Sequence, residues 1–228
     1  RSPPVPPEAT AAQRPFMPHI LITAGPTRAY LDDVRYLTNA SSGRMAAAVA
    51  RAAVAAGHRV TVVSGPVSVR YPKEATVLPV VTTGEMLQTC LEQLPSVHGV
   101  IATAAPCDFE PVSRVAGKMP RQRGLNLSLK PTRDVIATLA RRASPGQWMV
   151  AFALEPDGNP ARALEKITAK RCDLIVLNDL SALNASSTAV SVYDREHRLV
   201  GTRKGTKTAV ARWLIGLIEQ RQQSGAES

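Results

Sequence analysis

From Ile20 onward, short apolar runs alternate with stretches whose apolar positions recur every three or four residues. The runs Ile20–Ala24, Val60–Ser64, Val77–Val81, Val100–Ala104, Trp148–Ala153 and Leu174–Leu177 are nearly continuous in apolar character, as strands buried on both faces are. Between them the pattern predicts helices over Gly43–Ala56, Gly84–Leu94, Thr132–Arg142 and Pro160–Lys170. Gly57 stands one residue past the first helix, where a left-handed cap glycine belongs. Strands alternating with helices imply right-handed crossovers and a parallel sheet, so the expected fold is α/β, three-layered, doubly wound and mostly parallel. After Asn178 the texture changes. Ser181–Ala189 reads as a polar loop, Val190–Tyr193 and Arg198–Val200 alternate like a C-terminal β-hairpin extension, and an amphipathic helix follows over Thr206–Gln220. Ala105–Leu129 reads as a long loop with one extended piece at Leu125–Leu129; long loops within a domain are commonly lids or binding loops.

Composition narrows this picture. With 228 residues, 44% hydrophobic but only 4% aromatic, the core must be built from Val, Ile, Leu and Ala. The first sixteen residues hold five prolines and no apolar block, so 1–17 is expected to be a flexible extension, 18–222 one domain and 223–228 a disordered tail. The formal net charge of +10 is scattered, with Lys118, Arg121 and Arg123 the densest group and no aromatics interleaved. That argues against nucleic acid as a partner and suits phosphorylated small molecules. Cys90, Cys107 and Cys172 are odd in number and far apart, which implies no disulfide framework and no metal spacing, and fits a reducing, cytoplasmic setting. No run is long enough to cross a membrane.

Chemistry gathers on one edge of the predicted sheet. Ligands of open parallel sheets bind beyond the carboxyl ends of the strands. There the chain places Gly25-Pro26-Thr27-Arg28, Asn39–Arg44, Ser64-Gly65-Pro66, Ala104–Phe109, Glu155 and Asn178-Asp179. The stretch Thr38–Met45, reading TNASSGRM, puts Asn39, Ser41, Ser42, Gly43 and Arg44 at a helix start. Unpaired N–H groups, hydroxyls and a fixed cation at such a terminus suit an anionic oxygen ligand; the plainer alternative is a cluster that only caps the helix. Neither GxGxxG nor GxxxxGK[ST] occurs, which counts against a nicotinamide-dependent reductase and against a P-loop enzyme.

GPTRAYLDDVRYLTNASSGRMA resembles the opening of the phosphopantothenoylcysteine synthetases, the phosphopantothenate–cysteine ligases of coenzyme A biosynthesis. The resemblance continues through VTVVSGPVSV, ATAAPCDFEP, GKM, LKPTRDVIATL, VAFALE, EKITAKRCDLIVLND and KGTKTAVARWL, over Pro18 to Arg221. It implies a Rossmann-like ligase that activates the 4′-phosphopantothenate carboxylate as an acyl-nucleotidylate, with Mg²⁺ carried on the nucleotide phosphates, and then joins it to cysteine. Matched residue by residue, Asn39 is expected at the acyl intermediate and Lys118 at amide formation, these two being catalytic. Ser41, Ser42, Gly43 and Arg44 are expected on the substrate phosphate. Gly25, Ser64, Gly65, Asp108, Lys118, Pro131, Thr132, Arg133, Asp134, Phe152, Lys166 and Lys170 are expected around the nucleotide. Motif order favours CTP over ATP. Three segments depart from the family pattern: Pro106-Cys107 where it has Val-Ala, Lys130–Asp134 where it has KNPD, and Leu183–Thr188 after the ND pair. A diverged homologue that binds phosphate without turnover is the alternative these leave open. The extension is too short for the flavin-containing decarboxylase that precedes many family members, so no flavin is expected. The hairpin after Asn178-Asp179 implies a homodimer.

Overall fold

The six apolar runs become parallel neighbours in one sheet, five of them buried and the run at Val77–Val81 forming its more exposed edge. The structure, a computed structural model, describes residues 17–121, 124–155, 160–179 and 187–226. Its strands are β1 (His19–Ala24), β2 (Arg28–Tyr30), β3 (Tyr36–Thr38), β4 (Arg59–Ser64), β5 (Thr76–Pro79), β6 (Gly99–Ala102), β7 (Phe109–Pro111), β8 (Leu129–Pro131), β9 (Trp148–Glu155), β10 (Leu174–Asp179), β11 (Ser187–Asp194) and β12 (Leu199–Thr206). Its helices are α1 (Arg44–Ala55), α2 (Thr83–Gln93), α3 (Val135–Arg142), α4 (Pro160–Lys170) and α5 (Lys207–Ala226).

One sheet runs β12-β11-β10-β9-β6-β1-β4-β5. From β10 to β5 every pairing is parallel; β11 and β12 add an antiparallel hairpin at one edge. The chain winds outward from β1 through β4 to β5, then returns and winds the other way through β6, β9 and β10. The order therefore reverses between β1 and β6, and the crevice at their carboxyl ends is where a doubly wound sheet binds ligands.

Alternation along the strands divides the core. Ile20, Ile22, Val60, Val62, Ile101, Val150 and Val176 face α1 and α5, while Leu21, Val63, Val100, Met149 and Ile175 face α2, α3 and α4. α1 contributes Ala46, Ala47, Ala48, Ala50, Ala52 and Ala53 to the buried set. The small side chains let it lie close to the sheet, and alanine also favours the helix itself. A Cβ on Gly99 would overlap the Trp148 ring on the adjacent strand, so that glycine makes room for the large indole. Gly57, at φ +91°, ends α1 as expected, with the His58 N–H donating back to Ala53 O at 3.0 Å.

Several expectations change. The segment between β1 and α1 folds into the β2–β3 hairpin, and β7, inside the expected 105–129 loop, pairs with β8 at its end. These strands are three residues long, too short for alternation to show in a sequence. Of Leu125–Leu129 only Leu129 is in a strand. α3 begins at Val135 and not at Thr132, because Asp134 caps it by accepting from the Ala137 N–H at 3.0 Å. β11 starts at Ser187, so the end of the expected polar loop is strand; 180–186, and with them most of Leu183–Thr188, lie outside the described residues. α5 runs to Ala226, past the boundary at 222, so the expected disordered tail is helical as far as it is described. The expected extension, 1–17, falls outside the described residues except for Met17.

Candidate functional site

The segment between β3 and α1 enters the helix through Gly43, whose φ of +71° places it in the left-handed region. A Cβ there would crowd the Val67 and Val69 side chains, so glycine suits the position twice over. No side chain caps α1, and its first turn holds no acidic residue. The Ser41 and Ser42 hydroxyls are therefore not used as caps, which removes the plainer account of TNASSGRM. Asn39 donates from Nδ2 to Pro106 O at 2.8 Å and Ala105 O at 3.2 Å, tying this segment to the loop after β6. The two sides of the switch-point crevice are thus joined by the side chain expected at the acyl group.

A cavity of about 460 Å³ opens at this point. Asn39 to Ala46 form one wall; Thr103 to Ala105 and Asp108 form another; Phe152 to Leu154, Asn178 and Lys207 complete it. The four residues expected on the substrate phosphate, Ser41 to Arg44, all line it, together with Asn39, Asp108 and Phe152. Lys207 carried no expectation. It opens α5 as Arg44 opens α1, so two helix N-termini and two cations meet at one cavity. Burial lowers the Lys207 pKa, and the Arg44 charge lowers it further. Cations at helix N-termini oppose the helix dipole, and a shared anion offsets that cost. A lysine at the first position of a helix with no acid in its first turn was the signal in the sequence.

A second cavity of about 120 Å³ lies beside the first, lined by Cys107, Thr132, Arg133, Asp134, Val135 and Lys170 among others. Ala104, Asp108 and Phe152 border both. Its wall is fixed by a buried knot around Cys107. The Cys107 N–H donates to Thr27 Oγ1 at 2.8 Å, and Cys107 O accepts from the Thr132 hydroxyl at 2.6 Å and the Thr83 hydroxyl at 3.3 Å. Thr132 also donates its N–H to Asp108 O at 2.9 Å. The backbone of residue 107 thus holds the 105–109 segment in place, and the thiol that departs from the family pattern adds donations to Thr27 O at 3.3 Å and Leu37 O at 3.5 Å.

The remaining expected residues are placed differently. Lys170 reaches the second cavity but pairs with Asp134 at 3.1 Å, and Lys166 pairs with the buried Glu155 outside both linings. Gly25, Ser64 and Gly65 line neither cavity. A Cβ on Gly65 would land on the Pro26 carbonyl, Gly25 has φ +72°, and the buried Ser64 hydroxyl bonds Tyr71 at 2.8 Å. These three shape the turns beneath the site. Pro131 ends β8 and borders neither cavity; Lys118 is exposed on the β7–β8 loop, also outside both. Between β1 and α1 stands the β2–β3 hairpin, where a dinucleotide fold has a tight glycine turn. Among the described residues, no cluster of three His, Cys, Asp or Glu is placed to hold a metal ion, and no helix is long and apolar enough to cross a membrane.

The family model of the DNA/pantothenate metabolism flavoprotein C-terminal domain matches residues 17–221. The chain belongs to this family. The coenzyme A biosynthesis bifunctional protein CoaBC of Bacillus subtilis is 42% identical over 169 residues, covering 73% of this chain but 41% of that protein. Like that one, the first curated relatives are longer proteins, and the chain spans about half of their length. A crystal structure of the C-terminal domain of a CoaBC protein superposes with a TM-score of 0.77 at 31% identity, covering 91% of this chain and 98% of that one. A Cab2 mutant in complex with phosphopantothenate-cysteine shares the fold, with a TM-score of 0.75 at 16% identity over 92% of this chain and 89% of that one. The doubly wound sheet with its hairpin edge is therefore the architecture of this pantothenate-metabolism domain family.

Proposed function

We propose that the chain is the phosphopantothenate–cysteine ligase of coenzyme A biosynthesis. The observation that carries the reading is the pair of cavities sharing the Asp108 and Phe152 wall, with every expected phosphate residue lining the larger one. Relatives are named for coenzyme A biosynthesis, and a fold neighbour holds phosphopantothenate-cysteine. The larger cavity suits a phosphorylated carboxylate: Ser41, Ser42, the Gly43 backbone, Arg44 and Lys207 receive its phosphate, and its carboxylate lies toward Asn39. The smaller cavity, of about 120 Å³, takes the nucleotide base between Asp108, Thr132, Arg133, Asp134 and Phe152.

In the first step a carboxylate oxygen attacks the nucleotide α-phosphate, a P–O bond forms, and pyrophosphate leaves. In the second, the cysteine amine attacks the acyl carbon, the C–N bond forms, and the nucleoside monophosphate leaves as the amine loses a proton. Asn39 holds the acyl group and Lys118 offsets charge in the second step. Triphosphate binding at Lys166 and Lys170 requires both to leave their carboxylate partners. Mg²⁺ enters on the nucleotide phosphates, which fits a site whose charged groups are mainly cations. CTP is the favoured nucleotide and a homodimer the favoured assembly.

The test is product formation by purified protein with Mg²⁺, 4′-phosphopantothenate, cysteine and either CTP or ATP. Phosphopantothenoylcysteine formed only with all components, faster with CTP, supports the reading. No product with either nucleotide from a folded protein overturns it.

A further inference from the structure

The turn of the β2–β3 hairpin carries two consecutive acids, Asp32 and Asp33, and both grip the loop that carries Lys118. Asp32 is fully buried, and each of its oxygens is doubly engaged. Oδ1 accepts from the N–H groups of Val34 at 2.8 Å and Arg35 at 2.6 Å; Oδ2 accepts from Arg35 Nη1 at 2.7 Å and the Met119 N–H at 3.0 Å. Arg35 Nη1 also donates to Met119 O at 3.1 Å, so Met119 is held through both backbone groups. On the other side of Lys118, Gly117 donates its N–H to Asp33 Oδ2 at 2.9 Å and accepts from the Asp33 N–H at 3.0 Å. Arg114 adds a 2.6 Å ion pair to Asp33, and the Val115 N–H donates to Leu31 O at 2.9 Å. The residues flanking Lys118 are thus fastened while its own side chain stays exposed.

The same hairpin leads directly into the site. β3 ends at Thr38, and Asn39 follows it. Burial raises the Asp32 pKa, but the N–H groups of Arg35, Val34 and Met119 and the Arg35 charge outweigh it and hold it at about 2. The anchor is ionised throughout the neutral range. A buried carboxylate satisfied at both oxygens is costly to disturb, because removing one partner leaves the others unpaired.

We propose that Asp32 is a positioning residue for Lys118, fixing the lysine's loop to the hairpin that presents Asn39 so that the two act on one acyl group. Asp33 supports it from the other flank. The inference rests on the ligase reading for what Lys118 does, but the anchoring itself is a matter of the bonds above. Replacing Asp32 by Asn sets an NH₂ group against two donors in either amide orientation, the Arg35 guanidinium and the Met119 N–H or the Val34 and Arg35 N–H groups, and so loosens the turn to which Met119 is tied. Lys118 is then released from one flank, and a displacement of about 1 Å is enough to slow a positioned reaction on the order of a hundredfold.

The test separates the two half-reactions in the full chain. Pyrophosphate release without cysteine reports the first step; decay of the acyl-nucleotidylate after cysteine is added reports the second. Asp32→Asn is expected to leave the first within about threefold of wild type and to slow the second about a hundredfold, like Lys118→Ala. Adding Lys118→Ala to Asp32→Asn should cost little more, since both remove one function. Asp33→Ala, at a partly exposed site that tolerates change, should slow the second step by a smaller factor. Should Asp32→Asn fail to fold, Asp33→Ala decides: a selectively slowed second step supports the inference, and a normal one overturns it. A wild-type chain without phosphopantothenate-dependent pyrophosphate release overturns the ligase reading and this inference together. A wild type that turns over, matched in the second step by Asp32→Asn, overturns the inference alone.

Discussion

Replacing Lys207 by Met separates what this lysine does for a ligand from what it does for the fold. Its charge stands beside Arg44 at a half-buried position, and both burial and that neighbour lower its pKa. The unfolded chain keeps the ordinary value of 10.5, so the proton is held less tightly in the folded state. The cost of the charge is fully present at neutral pH and is relieved only as pH rises through the lowered value toward 10.5. Without ligand, Lys207→Met should therefore unfold at a temperature no lower than wild type. With ligand the sign reverses. A hydrogen bond from a charged donor to phosphate is worth about 1.5–3 kcal/mol, so its loss weakens binding about 10- to 150-fold. Calorimetry with 4′-phosphopantothenate reads the affinity, and thermal unfolding with and without it reads the linkage. At about a hundred times the wild-type Kd, ligand stabilises the wild type by about 2.7 kcal/mol and a variant weakened hundredfold by about 0.4 kcal/mol. Unchanged affinity would refute the assignment of this lysine to the phosphate. A ligand-free variant destabilised by more than about 2 kcal/mol would refute the electrostatic argument, because a core-like role would then outweigh the charge.

Three further outcomes follow from named contacts. Gly99→Ala drives a methyl into the Trp148 ring on the neighbouring strand and should destabilise the domain by about 1–3 kcal/mol in urea unfolding; a change below half a kcal/mol would contradict the packing described. His19 is buried, with Nε2 on Thr61 Oγ1 at 2.8 Å and Nδ1 on Ser96 O at 2.9 Å, and burial is the first cause of its lowered pKa. The unfolded chain takes up this proton first, at 6.5, so unfolding temperature should fall between pH 7.5 and 5.5; His19→Gln should flatten part of that slope, and an identical slope would show another group responsible. Asn39→Ala should abolish amide product and Lys118→Ala should slow the amide-forming step about a hundredfold, each leaving the unfolding temperature within a few degrees, and near-normal turnover in either removes that residue from the chemistry.

The six parallel strands and all five helices were legible because buried strands and amphipathic helices carry different periods over enough residues to show. β2, β3, β7 and β8 were not, since a three-residue strand exists only by virtue of its partner, and partnering is a tertiary fact. Thr82-x-x-Glu85 spells a capping box, and the structure forms one at the start of α2; that signal was available in the chain. At the site, the helix-start composition of Asn39–Arg44 was enough to mark a cavity wall. Lys207 was hidden because its neighbour Arg44 lies on a helix at the other end of the chain. Lys166 and Lys170 show the opposite limit. Their spacing puts them on one helix face, but Glu155 and Asp134, on two other elements, decide what each lysine meets.

The most direct test of the central claim is mass spectrometry of the reaction without cysteine. With Mg²⁺, 4′-phosphopantothenate and CTP, a species should accumulate at the mass of the phosphopantothenoyl-cytidylate, with one pyrophosphate released for each. On adding cysteine that species should disappear as the amide and CMP appear in equal amounts. Pyrophosphate that forms without phosphopantothenate, or amide that forms with no acyl-nucleotidylate ever trapped, would contradict the account of the two cavities as the halves of one ligase site.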